Sequence, residues 1–358
     1  MNNKIRIAEI YGNNDYEIGY EIGKIFKDYL QKNIIEYEKK LNNKEILLKV
    51  EKAQKITYET YPNYVEEIYG RADGAEVDRK ALFFMMSPEL YEGTDGCTTV
   101  IAKLSSNRVL FAHNEDYITD MDKIALIKIN IRNKWIVGYA VATRLLGHAF
   151  AYNSDGLVVS NNYIYGASIN LNNPSRYFVI RDIIASKNIH EAIKKSQNAD
   201  IASAISLNIL DIKTNETLNI EKDNCDTNIT QIYTRYARAN HLLTKEINEK
   251  NIPKSSIFRC CKSKELLDKL EIKNTCMDDL VKILQYHTNE FDKCIYKDRS
   301  FFSDVKDRSK TCATFTFDSL DNKIQIYEYI GNELIDIEFD SFKIKRYKLD
   351  KIINNDQY

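Results

Sequence analysis

The apolar positions of residues 1–90 recur with a helical spacing. Ile18, Ile22, Phe26 and Leu30 fall every fourth position and line one face of a helix over residues 15–41, with Asn14 and Asp15 as capping residues. The same period runs over residues 44–60 through Ile46, Leu47, Val50, Ala53 and Ile56. Pro62 ends that run and suits the first turn of a helix over residues 63–72, and residues 79–90 form another.

From Cys97 onward the apolar positions alternate instead. Five pairs of alternating runs predict hairpins: 97–103 with 108–114, 125–131 with 135–142, 148–153 with 157–162, 204–212 with 216–221, and 312–317 with 323–329. Ser105, Ser106 and Asn107 supply the first turn, and Ser154-Asp155-Gly156 the third. Helical patterns over 175–186, 189–197, 235–250, 262–269 and 278–285 separate them. Hairpins interleaved with helices predict two antiparallel sheets stacked face to face with helices outside, an α+β sandwich.

Composition narrows the function. The 358 residues are 44% hydrophobic, enough for a substantial core, and 51 Lys and Arg against 52 Asp and Glu give a net charge of −1. Such a balance offers no field for a polyanion or an anionic membrane, so neither nucleic acid nor a membrane is an expected partner. Residues 1–10 lack the apolar run of a secretion signal and no stretch is a membrane span, so the expected location is the cytoplasm. Seven cysteines are an odd number and are expected to be reduced. Cys260, Cys261, Cys276, Cys294 and Cys312 with His287 show no Cys-x-x-Cys or His-x-x-x-His spacing, so no metal is expected. Without a glycine-rich phosphate loop or a flavin fingerprint, no cofactor is expected either.

The candidate chemistry lies at Asp95-Gly96-Cys97-Thr98-Thr99, where the helical pattern gives way to strands. A cysteine in that position is either an inert core residue or a nucleophile exposed by cutting the Gly96–Cys97 bond. Asn114-Glu115-Asp116 follows the second strand of the same hairpin, which returns a carboxylate and an amide toward the cysteine. Asp116 also suits a turn cap, and Asn240 and His241 suit a helix surface.

Taken together, Tyr61-Pro62-x-Tyr64-x-x-Glu67-Ile68-x-Gly70-x-Ala72-x-Gly74-Ala75, then Asp95 to Thr99, then Asn114-x-Asp116 resemble the acyl-coenzyme A:6-aminopenicillanic acid acyltransferase family of N-terminal-nucleophile hydrolases. The resemblance continues through Asn153-Ser154-Asp155-Gly156-Leu157, Arg181 to Ile193, Tyr236 to Leu243 and Thr311 to Asp318, in order. It implies an αββα sandwich with a helical N-terminal prosegment and a proenzyme that cuts itself before Cys97. Residues 1–96 and 97–358 would then be α and β chains that stay associated.

The resemblance also implies roles. Cys97 would be the nucleophile and its freed α-amine the base, which suits a thiol that is mostly protonated at neutral pH. Asp116 would polarise that amine and Asn240 would donate to the tetrahedral oxyanion. Asn114 and Asn153 are further candidates for shaping the pocket, and Arg259 and Arg308 compete to be the arginine beside the acyl group. Glu115 departs from the aromatic residue common in the family, and His241 is left outside the site.

The implied reaction is hydrolysis of a small-molecule acyl amide through a thioester, with transfer of an acyl group from an amide or thioester to an amine as the alternative. A papain-like pairing of Cys97 with His148 or His241, and a non-catalytic binding protein on the same fold, are the competing readings.

Overall fold

The computed structural model describes residues 4–91, 96–117, 121–224, 226–245, 252–298 and 310–349. The chain opens with β1 (Arg6–Gly12), followed by α1 (Asp15–Ile25), α2 (Lys27–Leu41), α3 (Lys44–Thr60), α4 (Pro62–Ala75) and α5 (Arg79–Met85). Strands β2 (Gly96–Lys103), β3 (Val109–Tyr117), β4 (Ile124–Ile131), β5 (Lys134–Val141), β6 (Phe150–Asn153) and β7 (Leu157–Tyr163) lead to α6 (Arg176–Ile184) and α7 (Ile189–Asn198). Then come β8 (Ile205–Asp211), β9 (Glu216–Lys222), β10 (Thr227–Gln231), β11 (Arg235–Arg238), α8 (Lys254–Lys269) and α9 (Met277–Leu284). The last strands are β12 (Lys310–Asp318), β13 (Lys323–Glu328), β14 (Glu333–Glu338) and β15 (Ile344–Lys348).

All five expected hairpins form, as β2–β3, β4–β5, β6–β7, β8–β9 and β12–β13. They assemble into an eight-stranded sheet ordered β1-β4-β5-β6-β7-β8-β9-β10 and a seven-stranded sheet ordered β11-β2-β3-β12-β13-β14-β15. Side-chain alternation sorts the core into layers. Phe111, Phe150, Phe315 and Tyr139 pack between the sheets. Ile127, Ile129 and Val159 face the helices of the N-terminal half together with α6 and α7, and Val100, Ala102, Leu110 and Ala112 face α8 and α9. The architecture is the expected αββα sandwich.

The N-terminal helical layer explains four glycines. A Cβ on Gly19 or Gly23 would lie 1.9 or 2.2 Å from the Glu67 or Arg71 carbonyl oxygen, and one on Gly70 or Gly74 would lie 2.0 Å from that of Tyr16 or Tyr20. Helices α1 and α4 therefore cross backbone to backbone, and Gly70 and Gly74 of the family-like motif serve packing. Beside them Arg71, fully buried, donates to Glu67 and to the carbonyls of Ala142 and Arg144, which ties α4 to the turn after β5.

Several elements differ from expectation. The helix over 15–41 breaks at Phe26, whose ring is buried at the junction of α1 and α2. The helix over 79–90 stops at Met85, and Pro88 opens a separate 3₁₀ turn. Residues 235–238 of the expected helix 235–250 are strand β11, because they pair with Thr99–Ala102 at the edge of the sheet, and pairing overrides a weak local period. Strand β1 runs parallel to β4 and was hidden in a segment where polar residues interrupt the alternation.

Candidate functional site

Hairpin β2–β3 builds the site. Its register sets Cys97 opposite Glu115 and Gly96 opposite Asp116. Because Ile101 and Phe111 face the other sheet while Ala102 and Ala112 face the helices, alternation carries Cys97, Thr99, His113 and Glu115 to the inter-sheet side and Thr98, Asn114 and Asp116 to the helix side.

Cys97 is 3% exposed. Its Sγ donates to Glu115 Oε2 at 3.2 Å, and its backbone N–H donates to Asn240 Oδ1 at 3.0 Å. Arg259, from α8, donates to the Cys97 carbonyl, to Thr98 Oγ1 at 2.8 Å and to Asn240 Oδ1 at 2.6 Å. Two donors on one amide oxygen fix which way the Asn240 side chain points. Its Nδ2 donates to the Tyr163 carbonyl at 2.9 Å, and its own N–H donates to Ser256 Oγ. Asn240 thus sits just past β11, in irregular backbone and not in a helix, and in this uncut chain its oxygen faces Cys97.

Asp116 stands beside Gly96, with Oδ2 3.4 Å from where a Gly96 Cβ would be. Oδ1 accepts from Thr311 Oγ1 at 2.7 Å, and Oδ2 is buried without a hydrogen-bond partner among the described residues. Cys97, Asp116, Asn240 and Arg259 therefore converge, and Arg308 lies outside the described residues.

Asn114 and Asn153 do not join them. Asn114 Nδ2 donates to the Leu284 carbonyl while Oδ1 accepts from Thr314, so it fastens α9 to the outer side of the sheet. Asn153 accepts from the Asp155 and Leu157 N–H groups and donates to the carbonyls of Ile184 and Ser186, which uses its amide in a turn. Both shape the scaffold and not the surroundings of Cys97.

Glu115 contributes more than its place as a departure suggested. Its Oε1 lies 3.6 Å from Arg144 Nη1 and 3.5 Å from His148 Nε2, and its Oε2 lies 3.7 Å from His113 Nε2. Burial lowers the pKa of His113 to about 3 and that of His148 to about 4, the latter with help from Arg144, so both rings are neutral at pH 7. His241 is also lowered to about 4, by burial and then Arg238, and pairs with Ser256. Neither ring proposed for a papain-like pair is hydrogen-bonded to Cys97 Sγ; His148 faces Glu115. The sequence signal for this group was the alternation itself, which puts every second residue of β3 on the side of Cys97.

A polar lattice extends from this group between the sheets. Thr99 Oγ1 meets His113 Nδ1 at 2.8 Å and Asn162 Oδ1 at 2.9 Å, and Asn208 Nδ2 donates to Thr99, Ser160 and Asn162. Among the described residues, Cys97, His113 and Glu115 bring one ligand-type atom each within 4.8 Å of one another. Cys260, Cys261, Cys276, Cys294, Cys312 and His287 form no such group there.

The chain matches the acyl-coenzyme A:6-aminopenicillanic acid acyl-transferase family over residues 104–332. The chain belongs to this family. The match holds Glu115, Asp116, Asn240 and Arg259 and begins after Cys97. Among relatives, the chain is 28% identical over 225 residues to a Drosophila melanogaster beta-alanyl-dopamine/carcinine hydrolase, covering 54% of this chain and 58% of the relative. It is 27% identical over 247 residues to the 40 kDa form of acyl-coenzyme A:6-aminopenicillanic-acid-acyltransferase of Emericella nidulans, covering 63% and 68%. The match thus spans under two thirds of the first relative's length. A crystal structure of a variant of conjugated bile acid hydrolase from Clostridium perfringens covers 73% of this chain and 100% of its own, with a TM-score of 0.50 at 14% identity, a likeness of fold. No helix among the described residues is long and apolar enough to cross a membrane.

Proposed function

We propose that this acyltransferase-family protein is an amide hydrolase that matures by cutting its own Gly96–Cys97 bond and then uses Cys97 as an N-terminal nucleophile. One observation carries the reading: a cysteine at the start of the core hairpin has its backbone nitrogen, carbonyl and thiol each engaged by a buried side chain, from Asn240, Arg259 and Glu115. A core cysteine needs none of these, and a nucleophile needs its position fixed.

In the matured enzyme the freed amine takes the thiol proton, and sulfur adds to the amide carbonyl of the substrate. The amine then returns the proton to the leaving nitrogen, and water resolves the thioester. Asp116, on the Gly96 side of Cys97, would hold the ammonium form. Arg259 and Asn240 fix the backbone of Cys97, and local movement of the Asn240 amide after cutting would offer a donor to the oxyanion. Residues 1–96 and 97–358 remain joined through the inter-layer packing of α1 to α5 and through β1 on β4.

The substrate class is a small-molecule N-acyl amide, with hydrolysis favoured by the hydrolase name of one relative, and delivery of the acyl group to an amine is the second reading because the family name is that of an acyltransferase. Intact mass of the expressed chain and of Cys97→Ala tests maturation. The expected result is two fragments divided after Gly96 in the former and one chain in the latter. Incubation with β-alanyl amides, other acyl amides and acyl thioesters, with and without amine acceptors, then separates hydrolysis from transfer. An uncut chain that turns over amides would overturn the N-terminal-nucleophile reading.

A further inference from the structure

Maturation poses a problem that the mature mechanism does not solve: before the cut, the α-amine that serves as base is tied up in the Gly96–Cys97 peptide. Some other group must take the thiol proton. The described residues offer one in direct contact, Glu115 Oε2 at 3.2 Å from Sγ. Asp116 lies on the opposite side of the sheet, and the buried His113 ring, held at Nδ1 by Thr99, has Nε2 3.7 Å from Glu115 Oε2 and makes no hydrogen bond to the Cys97 thiol. Arg144 and His148 approach Oε1, the oxygen turned away from the thiol, which leaves Oε2 directed at sulfur. Glu115 is 2% exposed, so bulk water does not compete for the proton. The cross-strand register places Glu115 directly opposite Cys97, a fixed contact between neighbours on paired strands.

Resting on the reading of Cys97 as a self-exposed nucleophile, we infer that Glu115 is the general base and then the general acid of the maturation step. Its carboxylate takes the proton from Cys97 Sγ as sulfur bonds to the Gly96 carbonyl carbon. The Gly96–Cys97 C–N bond then breaks, Glu115 gives the proton to the departing nitrogen, and a thioester joins Gly96 to the Cys97 sulfur. Water adds to that thioester and releases the Gly96 carboxylate and the Cys97 thiol. The balance is one peptide bond and one water consumed, with a carboxyl and an amine formed. Once the amine exists, it replaces Glu115 as the base for substrate.

The test follows the full chain made by cell-free translation and sampled over time by denaturing gel and intact mass. Glu115→Gln is expected to cut about 100-fold more slowly than wild type, the scale of a lost general base, and Glu115→Asp to fall between them. Uncut Glu115→Gln should melt like uncut Cys97→Ala. Formate added to Glu115→Ala should restore at least about tenfold of the lost rate, a rescue that a packing role would not allow.

Cutting of Glu115→Gln at the wild-type rate, with Cys97→Ala intact, overturns the role of Glu115 and leaves the nucleophile standing. A wild-type chain that never cuts, or a Cys97→Ala chain that does, removes the nucleophile reading itself. Should Glu115→Gln not fold, a folded Glu115→Asp at the wild-type rate, or a Glu115→Ala that formate does not accelerate, overturns the proposal equally.

Discussion

The space between the two sheets has two unlike ends. At one, Phe150 and Phe315 stack at 4.9 Å with Phe111 and Tyr139 at their edges, an apolar interior that any sandwich of this kind requires. At the other, strands β2, β3, β7 and β8 present Thr99, His113, Ser160, Asn162 and Asn208 in a buried hydrogen-bonded lattice that ends at Glu115 and Cys97. Strand β3 crosses from one to the other within a few residues, from Phe111 through His113 to Glu115. Burial alone therefore does not separate scaffold from chemistry. The apolar end supplies stability through area removed from water, and the polar end spends part of it on positioned dipoles that an apolar core would not need.

Substitutions at the two ends should separate these roles. The largest effect is expected for Cys97→Ala, which should abolish maturation, amide turnover and thiol labelling at that position. Its urea-unfolding free energy should remain within about 1 kcal/mol of another uncut variant, since little buried volume is lost. Phe315→Ala should show the reverse: a stability loss of about 3–5 kcal/mol in urea, with per-molecule activity of the folded fraction retained. If Phe315→Ala removed activity from fully folded protein, the division would fail. Asn240→Ala is intermediate. It takes the acceptor from the Cys97 N–H and from Arg259, and is expected to lower kcat by about 10²–10³ with KM changed less.

Much of this division was legible before the structure, and the failures have physical causes. The five hairpins were readable because alternation reports a strand with one face on the core. Strands β14 and β15 were missed because Glu333 puts a charged residue on the buried face of β14, and because Lys345, Arg346 and Lys348 leave the edge strand β15 little apolar pattern. Asn240 was located by motif but given a helix, since four residues of strand β11 carry too little pattern to outweigh a helical stretch. Glu115 was visible as an unusual residue, yet its place beside the thiol depends on register, which pairs Gly96 with Asp116 and so Cys97 with Glu115. Asn153 stood out in Asn153-Ser154-Asp155-Gly156, where an asparagine before a turn serves the turn itself. Arg259 could be separated from Arg308 only by tertiary contact.

The polar end should also be the acid-sensitive one. His113 and His148 titrate near pH 3 and 4 in the folded chain and near 6.5 unfolded, so between about 4.5 and 6.5 the unfolded chain binds two protons that the folded chain does not. Glu328, which burial raises from 4.5 to about 7, works in the opposite sense, because there the folded chain holds the proton. Two less one leaves the unfolded state one proton ahead, and from these three groups stability should fall by about 1.4 kcal/mol for each pH unit lost across that window. Urea melts at pH 6.5 and 5 check the sign. Replacing Glu328 with Gln removes the opposing group and should make the fall steeper, whereas replacing His148 with Gln should flatten it.

The smallest effect is expected at the bond that joins the two proposed chains. A methyl group on Gly96 would stand 3.1 Å from Asp116 Cβ, closer than an ordinary contact, and 3.4 Å from its Oδ2, against a buried side chain that would have to shift by a few tenths of an ångström. Gly96→Ala should therefore cost about 1 kcal/mol of overpacking and change the maturation rate by about fivefold, read from the time course of chain cutting. The direction carries the information. If the folded precursor is crowded and the thioester relieves the crowding, Gly96→Ala cuts faster. If the crowding moves the Gly96 carbonyl away from Cys97 Sγ, it cuts more slowly, and Gly96→Val should then be slower again. In both cases the added carbon lies on the side of the bond that does not carry the nucleophile, so kcat of the cut enzyme should stay within about twofold. A larger change there would mean that residue 96 still lines the site after the bond is broken.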